Sequence, residues 1–157
     1  MGVVALADLK QKLSPGRRLL GLDLGEKTIG LALSDTLATI ATPLETLPRG
    51  KFGDDAKKIL ALIEMHGIGA LVIGLPLNMD GSEGPSVQSA RAFARNFAAK
   101  SDIAIVFQDE RLSTAAVTRT LIEADSSRAK RARVVDKMAA AYILQSALDR
   151  LRAFPPA

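Results

Sequence analysis

The chain has no cysteine, no tryptophan, one histidine and one tyrosine, and aromatic residues make up only 4% of its 157 positions. Without cysteine there is no disulfide framework, no thiolate metal site and no cysteine nucleophile. A single histidine cannot build an imidazole cage, and His66 stands just before Gly67 at the end of a helical pattern, where its charge complements the helix dipole. It reads as a helix-end residue outside catalysis. So few aromatics argue against a base-stacking platform for single strands and favour backbone or shape recognition of a folded duplex. No apolar run approaches the roughly 18 residues that a membrane span needs, and Met1–Lys12 lacks the apolar core of a secretory signal. The expectation is a soluble, cytoplasmic protein with no membrane partner. Its chemistry falls to carboxylates, amines, hydroxyls and backbone.

What is present is sufficient for a core: 48% of the residues are hydrophobic and 24% charged, the balance of a single globular domain. The net charge of +4 is unevenly placed. Residues 1–110 carry 12 Lys/Arg against 13 Asp/Glu, whereas residues 111–157 carry 9 against 4. Arg128, Lys130, Arg131, Arg133 and Lys137 crowd one short segment. A basic end on a near-neutral body suits a polyanion, nucleic acid before anionic membrane, with a solvated helix face as the plain alternative.

Residues 1–17 form a short amphipathic lead-in ended by Ser14-Pro15-Gly16, read as an N-terminal extension to a single domain over 18–154. Apolar runs at Arg18–Leu24, Thr28–Ser34 and Ile40–Leu47 are separated by three to five residues rich in turn formers, which predicts an antiparallel meander. Helical spacing follows at Phe52–His66 and Pro85–Lys100, alternating with buried strands at Ala70–Leu75 and Ile103–Asp109. The last third reads as helix, Ser113–Ala124 and then Ala129–Phe154, stopped by Pro155-Pro156. Meander followed by βαβ units implies a mixed α/β sheet with helices on its faces.

Three acids interrupt segments that otherwise want burial. Asp23 shares one strand face with Gly21, and Gly21 and Gly25 promise open space beside its carboxylate. Asp109 and Glu110 end a strand and, if it continues, point to opposite faces, so only one can share a side with Asp23. At 100° per residue, Asp136 lies on the same helical stripe as Ala140, Ile143 and Ala147, and Ala139, Ala140 and Ala141 favour close approach of that helix to the sheet. Each acid alone has an ordinary explanation: a strand terminator, a solvated pair, a dipole-compensating first-turn residue. Together, without His or Cys to share the work, they suit a hard divalent cation held by oxygen, Mg²⁺ or Mn²⁺. Such ions serve phosphodiester hydrolysis, and the basic segment would neutralise phosphates beside them.

Gly21-Leu22-Asp23-Leu24-Gly25-Glu26-Lys27-Thr28-Ile29-Gly30 with Ala32-Leu33-Ser34-Asp35 resembles the first motif of the YqgF/RuvX family, Holliday-junction-resolvase-like proteins also described as pre-16S rRNA nucleases. Gly74–Gly84 resembles the family's central loop, Asp109–Thr114 its third motif and Val135–Ala140 its last. The resemblance spans residues 18–150. It implies a ribonuclease-H-like fold, a five-stranded sheet in the order 3-2-1-4-5, and a divalent-metal nuclease acting on structured nucleic acid in ribosomal RNA maturation. Carried over by position, the catalytic and metal-binding acids are Asp23, one of Asp109 and Glu110 with Glu110 favoured, and Asp136. Thr28 stands where the family commonly has a basic residue, which removes one cation from that turn.

Lys27, Arg111, Lys130, Arg131, Arg133 and Lys137 are the candidate nucleic-acid contacts, while Asn78, Asp80 and Ser82 either shape a substrate loop or simply form a turn. The substrate reads as precursor rRNA or branched DNA, in a ribosomal precursor particle or at a recombination junction, with the protein a monomer or weak homodimer. Two readings compete from other classes. One is a non-catalytic nucleic-acid-binding assembly module. The other is a single-lobe ATP-binding protein, because the Asp23-containing turn is also similar to the phosphate loop of the actin and sugar-kinase ATPases.

Overall fold

The computed structural model describes residues 2–78, 80–110 and 128–154, with the side chains of 128–136 outside that description. Its strands are β1 (Gly2–Val3), β2 (Arg18–Leu24), β3 (Thr28–Ser34), β4 (Ala41–Pro48), β5 (Ile68–Leu75) and β6 (Ala104–Asp109). The helices are α1 (Leu6–Lys12), α2 (Phe52–His66), α3 (Pro85–Ala98) and α4 (Arg128–Ala153). The helix expected over Ser113–Ala124 falls outside the described residues.

Among the described residues the sheet has six strands in the order β1-β6-β5-β2-β3-β4. Five of them stand in the order the family resemblance implies. The meander is antiparallel, β2 to β3 to β4, while β2, β5 and β6 run parallel, joined through α2 and α3. The count of five needs correction. Gly2 and Val3 add a sixth, parallel edge strand beside Ala104 and Ile105, and Leu6 and Leu9 of α1 are buried in the core. A two-residue strand has no periodicity to read. Its existence depends on the exposed edge that β6 offers it.

Two apolar layers hold the sheet. On one face α2 and α3 cover Leu20, Leu22, Leu71, Ile73 and Ile105. Phe52, Phe93 and Phe97 pack there, with ring centroids 5.2 Å and 6.0 Å apart, so the few aromatic rings serve the interior. α2 stops at Gly67, whose φ of 64° lies in the left-handed region that glycine enters without penalty. On the other face α1 and α4 cover Leu19, Ala32, Ala70, Val72 and Val106. The stripe Ala140, Ile143, Ala147 of α4 is fully buried, as its phase required.

The β3–β4 turn is organised by Asp35. Its Oδ1 accepts hydrogen bonds from the Thr39 N–H at 2.7 Å and the Ile40 N–H at 3.1 Å, and Oδ2 accepts from the Thr39 hydroxyl. These bonds, the Thr39 hydroxyl foremost, hold the Asp35 carboxyl below the usual carboxylate range. A depressed folded pKa contributes stability that is present above the unfolded value, about 4, and lost as pH falls through the folded one. Asp35→Asn is therefore expected to lower stability by about 1 kcal/mol at neutral pH, a figure already reduced for partial solvent exposure. The difference should shrink as the pH falls, read by urea unfolding at pH 7 and pH 3.

Candidate functional site

The parallel strands β2, β5 and β6 end together at one edge of the sheet, the position where open α/β sheets place their ligands. Alternation decides which acids face which layer. Leu22 lies opposite Ile73 beneath α2 and α3, so Asp23, one residue on, faces α4 along with Gly21. Gly74 pairs with Gln108 in β5–β6, and Val72 and Val106 on the same side belong to the α4 layer. Glu110, two residues beyond Gln108, shares that face. Asp109 pairs with Leu75 and turns to the opposite one.

Burial follows the same division. Asp23 is 7% exposed and Glu110 8%, whereas Asp109 is only half-buried. A Cβ built on Gly74 would meet the Glu110 Cγ at 3.2 Å and Cδ at 3.3 Å. The Glu110 carboxyl therefore leans over β5 and comes within one strand spacing, about 4.8 Å, of the strand that carries Asp23. Gly74 leaves room for this lean. Any side chain there would push Glu110 and the Ile143 methyl, 2.6 Å from the same point.

Space beside Asp23 differs from the sequence reading. Gly21 does not face an opening: its Cβ would lie 2.8 Å from Leu144 Cβ and 3.0 Å from the Ala140 carbonyl oxygen. α4 fills the place, and the glycine exists so that the helix backbone can come this close. Gly25 is closed in the same way by the Thr28 carbonyl at 3.0 Å across the β2–β3 turn.

Asp136 belongs to α4, one turn before buried Ala140, and its side chain lies outside the described ones. Among the described residues no three His, Asp or Glu side chains gather closely enough for a metal ion; Asp23 and Glu110 are two of the three acids expected. Their donor set, carboxylate oxygen alone, nearly sealed from water, fits a hard cation and disfavours a soft one. Arg111 and the side chains of Lys130, Arg131 and Arg133 also lie outside the described residues. Lys137 is half-buried on α4 and Lys27 is exposed on the β2–β3 turn. Asn78, Asp80 and Ser82 form a turn closed on itself, with the Asn78 amide donating to Ser82 Oγ at 2.9 Å and the Ser82 hydroxyl to Asp80 Oδ1 at 2.6 Å.

Two polar residues at this end carried no functional reading in the sequence. Gln108 is fully buried; its Oε1 accepts from Arg150 at 2.9 Å, and its Nε2 has no partner among the described residues. A polar side chain on the inner face of an otherwise apolar strand was the signal for it. Asp55 is a further buried acid, and it is structural: both its oxygens accept from the Gly50 N–H, at 3.2 and 3.1 Å, at the start of α2.

Comparison with known proteins gives a consistent picture. The family model described as "RuvX: Holliday junction resolvase" matches residues 17–150. A protein of Paramagnetospirillum magneticum named "Putative pre-16S rRNA nuclease" is 60% identical over 154 residues, covering 98% of this chain and 99% of its own. One of the same name from Methylocella silvestris is 61% identical over 150 residues, covering 96% and 93%. Among solved structures, T. thermophilus RuvC in complex with a Holliday junction substrate aligns with a TM-score of 0.53 at 13% identity, over 90% of this chain and 99% of that one. At that identity the likeness is one of fold.

Proposed function

Since the chain belongs to the RuvX family, we propose that it is a nuclease that hydrolyses phosphodiester bonds in structured nucleic acid, with maturation of the 5′ end of pre-16S rRNA as its role. The observation that supports this most is the pair of buried carboxylates, Asp23 and Glu110, brought to one strand-end edge on one face of the sheet. Two carboxylates buried near each other on one face repel one another, and a divalent cation held between them offsets that cost. Asp136 is the third acid of the set, and Asp109, on the opposite face, is left out of it. A bound Mg²⁺ or Mn²⁺ supplies activation of water and stabilisation of the leaving oxygen. The chain's own part is to orient the carboxylates, through the alternation of β2 and β6 and the gap at Gly74, and to exclude bulk water by means of α4.

Lys27, Arg111, Lys130, Arg131, Arg133 and Lys137 supply the positive charge that holds the sugar–phosphate backbone. The protein works in the cytoplasm on a ribosomal precursor, as a monomer or weak homodimer. Among the described residues no helix is long and apolar enough to cross a membrane. The test is incubation of the purified protein with precursor 16S rRNA and with a four-way DNA junction, each in Mn²⁺ or EDTA. Cleavage of the RNA in Mn²⁺ and none in EDTA is expected. Cutting of the junction alone transfers the substrate to branched DNA, and an absence of cleavage in every tube overturns the reading.

A further inference from the structure

Round the strand-end edge from Asp23, on the side covered by α3, lies a cavity of about 490 Å³ lined by Leu24, Gly25, Glu26, Arg49, Ser86 and Ser89 among others. Arg49 spans it. Its Nη1 donates to the Gly25 carbonyl at 2.6 Å and its Nη2 to Ser89 Oγ at 3.0 Å, while its backbone N–H donates to the Lys27 carbonyl at 2.8 Å. The guanidinium is thus half-buried and held in one orientation by neutral oxygens only. Among the described residues no carboxylate pairs with it, although Glu26 lines the same cavity. Glu83, at the entry to α3, is engaged elsewhere, in a fork with Arg91 at 2.8 and 2.9 Å.

A guanidinium has five N–H donors in a rigid plane, and two are engaged here. The remaining donors, with the Ser86 and Ser89 hydroxyls on the same wall, suit a tetrahedral anion. Gly25, which Arg49 grips, is two residues from Asp23, at most about 7 Å along the chain. We propose that Arg49, with Ser86 and Ser89, forms a phosphate subsite that takes a backbone phosphate of the nucleic acid flanking the one at the acids. The proposal rests on the nuclease reading and adds to it a second, pre-positioned contact that fixes the register of the strand. Lys27, on the same turn, adds charge without a fixed orientation.

The experiment measures binding of a labelled RNA stem–loop by fluorescence anisotropy across a salt series, in the Asp23→Asn background with Mg²⁺ so that nothing is cut. Arg49→Gln is expected to reduce the magnitude of the slope of log K against log salt by about 1, one phosphate contact. Loss of Arg49 also loosens the β2–β3 turn, so Ser86, exposed and without a side-chain bond among the described residues, provides the second arm. Ser86→Asp places an acid in the first turn of α3, which holds or raises the melting temperature. The same substitution should weaken RNA binding about fivefold at low salt by repelling the phosphate. Ser86→Lys should strengthen it while leaving the melting temperature level or lower. Equal affinities for Ser86→Asp and Ser86→Lys, or an unmoved slope in Arg49→Gln, overturn the subsite and leave the nuclease reading standing. Failure of the unmodified protein to cut either RNA or junction in Mn²⁺ overturns the nuclease reading itself.

Discussion

Asp23→Asn is expected to lower phosphodiester cleavage about a thousandfold or more while changing affinity for structured RNA little. Glu110→Gln is expected to behave alike. Both substitutions keep the shape of the side chain and remove the negative charge that a divalent cation needs. Cation chemistry of this kind contributes several kcal/mol to the barrier, and each 1.36 kcal/mol is a factor of about ten. Binding, by contrast, depends on the basic residues and the phosphates they neutralise. Asp109→Asn is the internal comparison: the carboxylate next in sequence to Glu110 lies beside Leu75 on the opposite face of the sheet, so its loss should cost the rate far less. Single-turnover cleavage with saturating enzyme separates the chemical step from binding. Equal rates for Asp23→Asn, Glu110→Gln and the unmodified protein overturn the assignment of both acids.

Gly21→Val is the substitution expected to cost the most stability, about 3 kcal/mol. The first added carbon meets Leu144 Cβ at 2.8 Å and the Ala140 carbonyl at 3.0 Å. These are a helix backbone and the atom rooted on it, so no rotamer change relieves the contact and α4 must move outward as a body. α4 closes the face that carries Asp23 and Glu110, and a shift there lets water reach both acids. The variant should therefore lose activity as well as stability, in contrast to Asp35→Asn, whose turn lies beyond the opposite ends of the parallel strands. Urea unfolding checks the first expectation and cleavage at a temperature where the variant remains folded checks the second. A loss below about 0.5 kcal/mol contradicts the close packing of α4 on β2.

The architecture was legible where it depends on local signals. Turn formers three to five residues apart dictate hairpins, so the meander of β2, β3 and β4 could be read directly. The alanines at 139–141 marked where α4 approaches the sheet. The acids were visible because each stands in an apolar context, and strand alternation showed that Asp109 and Glu110 diverge. Which of them turns toward Asp23 depends on the β5–β6 register, a long-range property absent from any window of sequence. The same holds for Gly21, whose apparent open space is filled by a helix from the far end of the chain. Nothing in the residues next to Arg49 marks it out; only the folded chain brings Gly25 and Ser89 to its two ends. Asp55 is the reverse case, a buried acid whose partner is the nearby Gly50 N–H and whose role is local.

The central claim is that three carboxylates distant in the chain meet around a divalent ion, and a crystal grown in Mn²⁺ tests it most directly through the metal's anomalous signal. A peak about 2 Å from oxygens of Asp23 and Glu110, with Asp136 completing the coordination, is the predicted result. A map with no peak between Asp23 and Glu110, or with their carboxyl groups too far apart to share an ion, contradicts it.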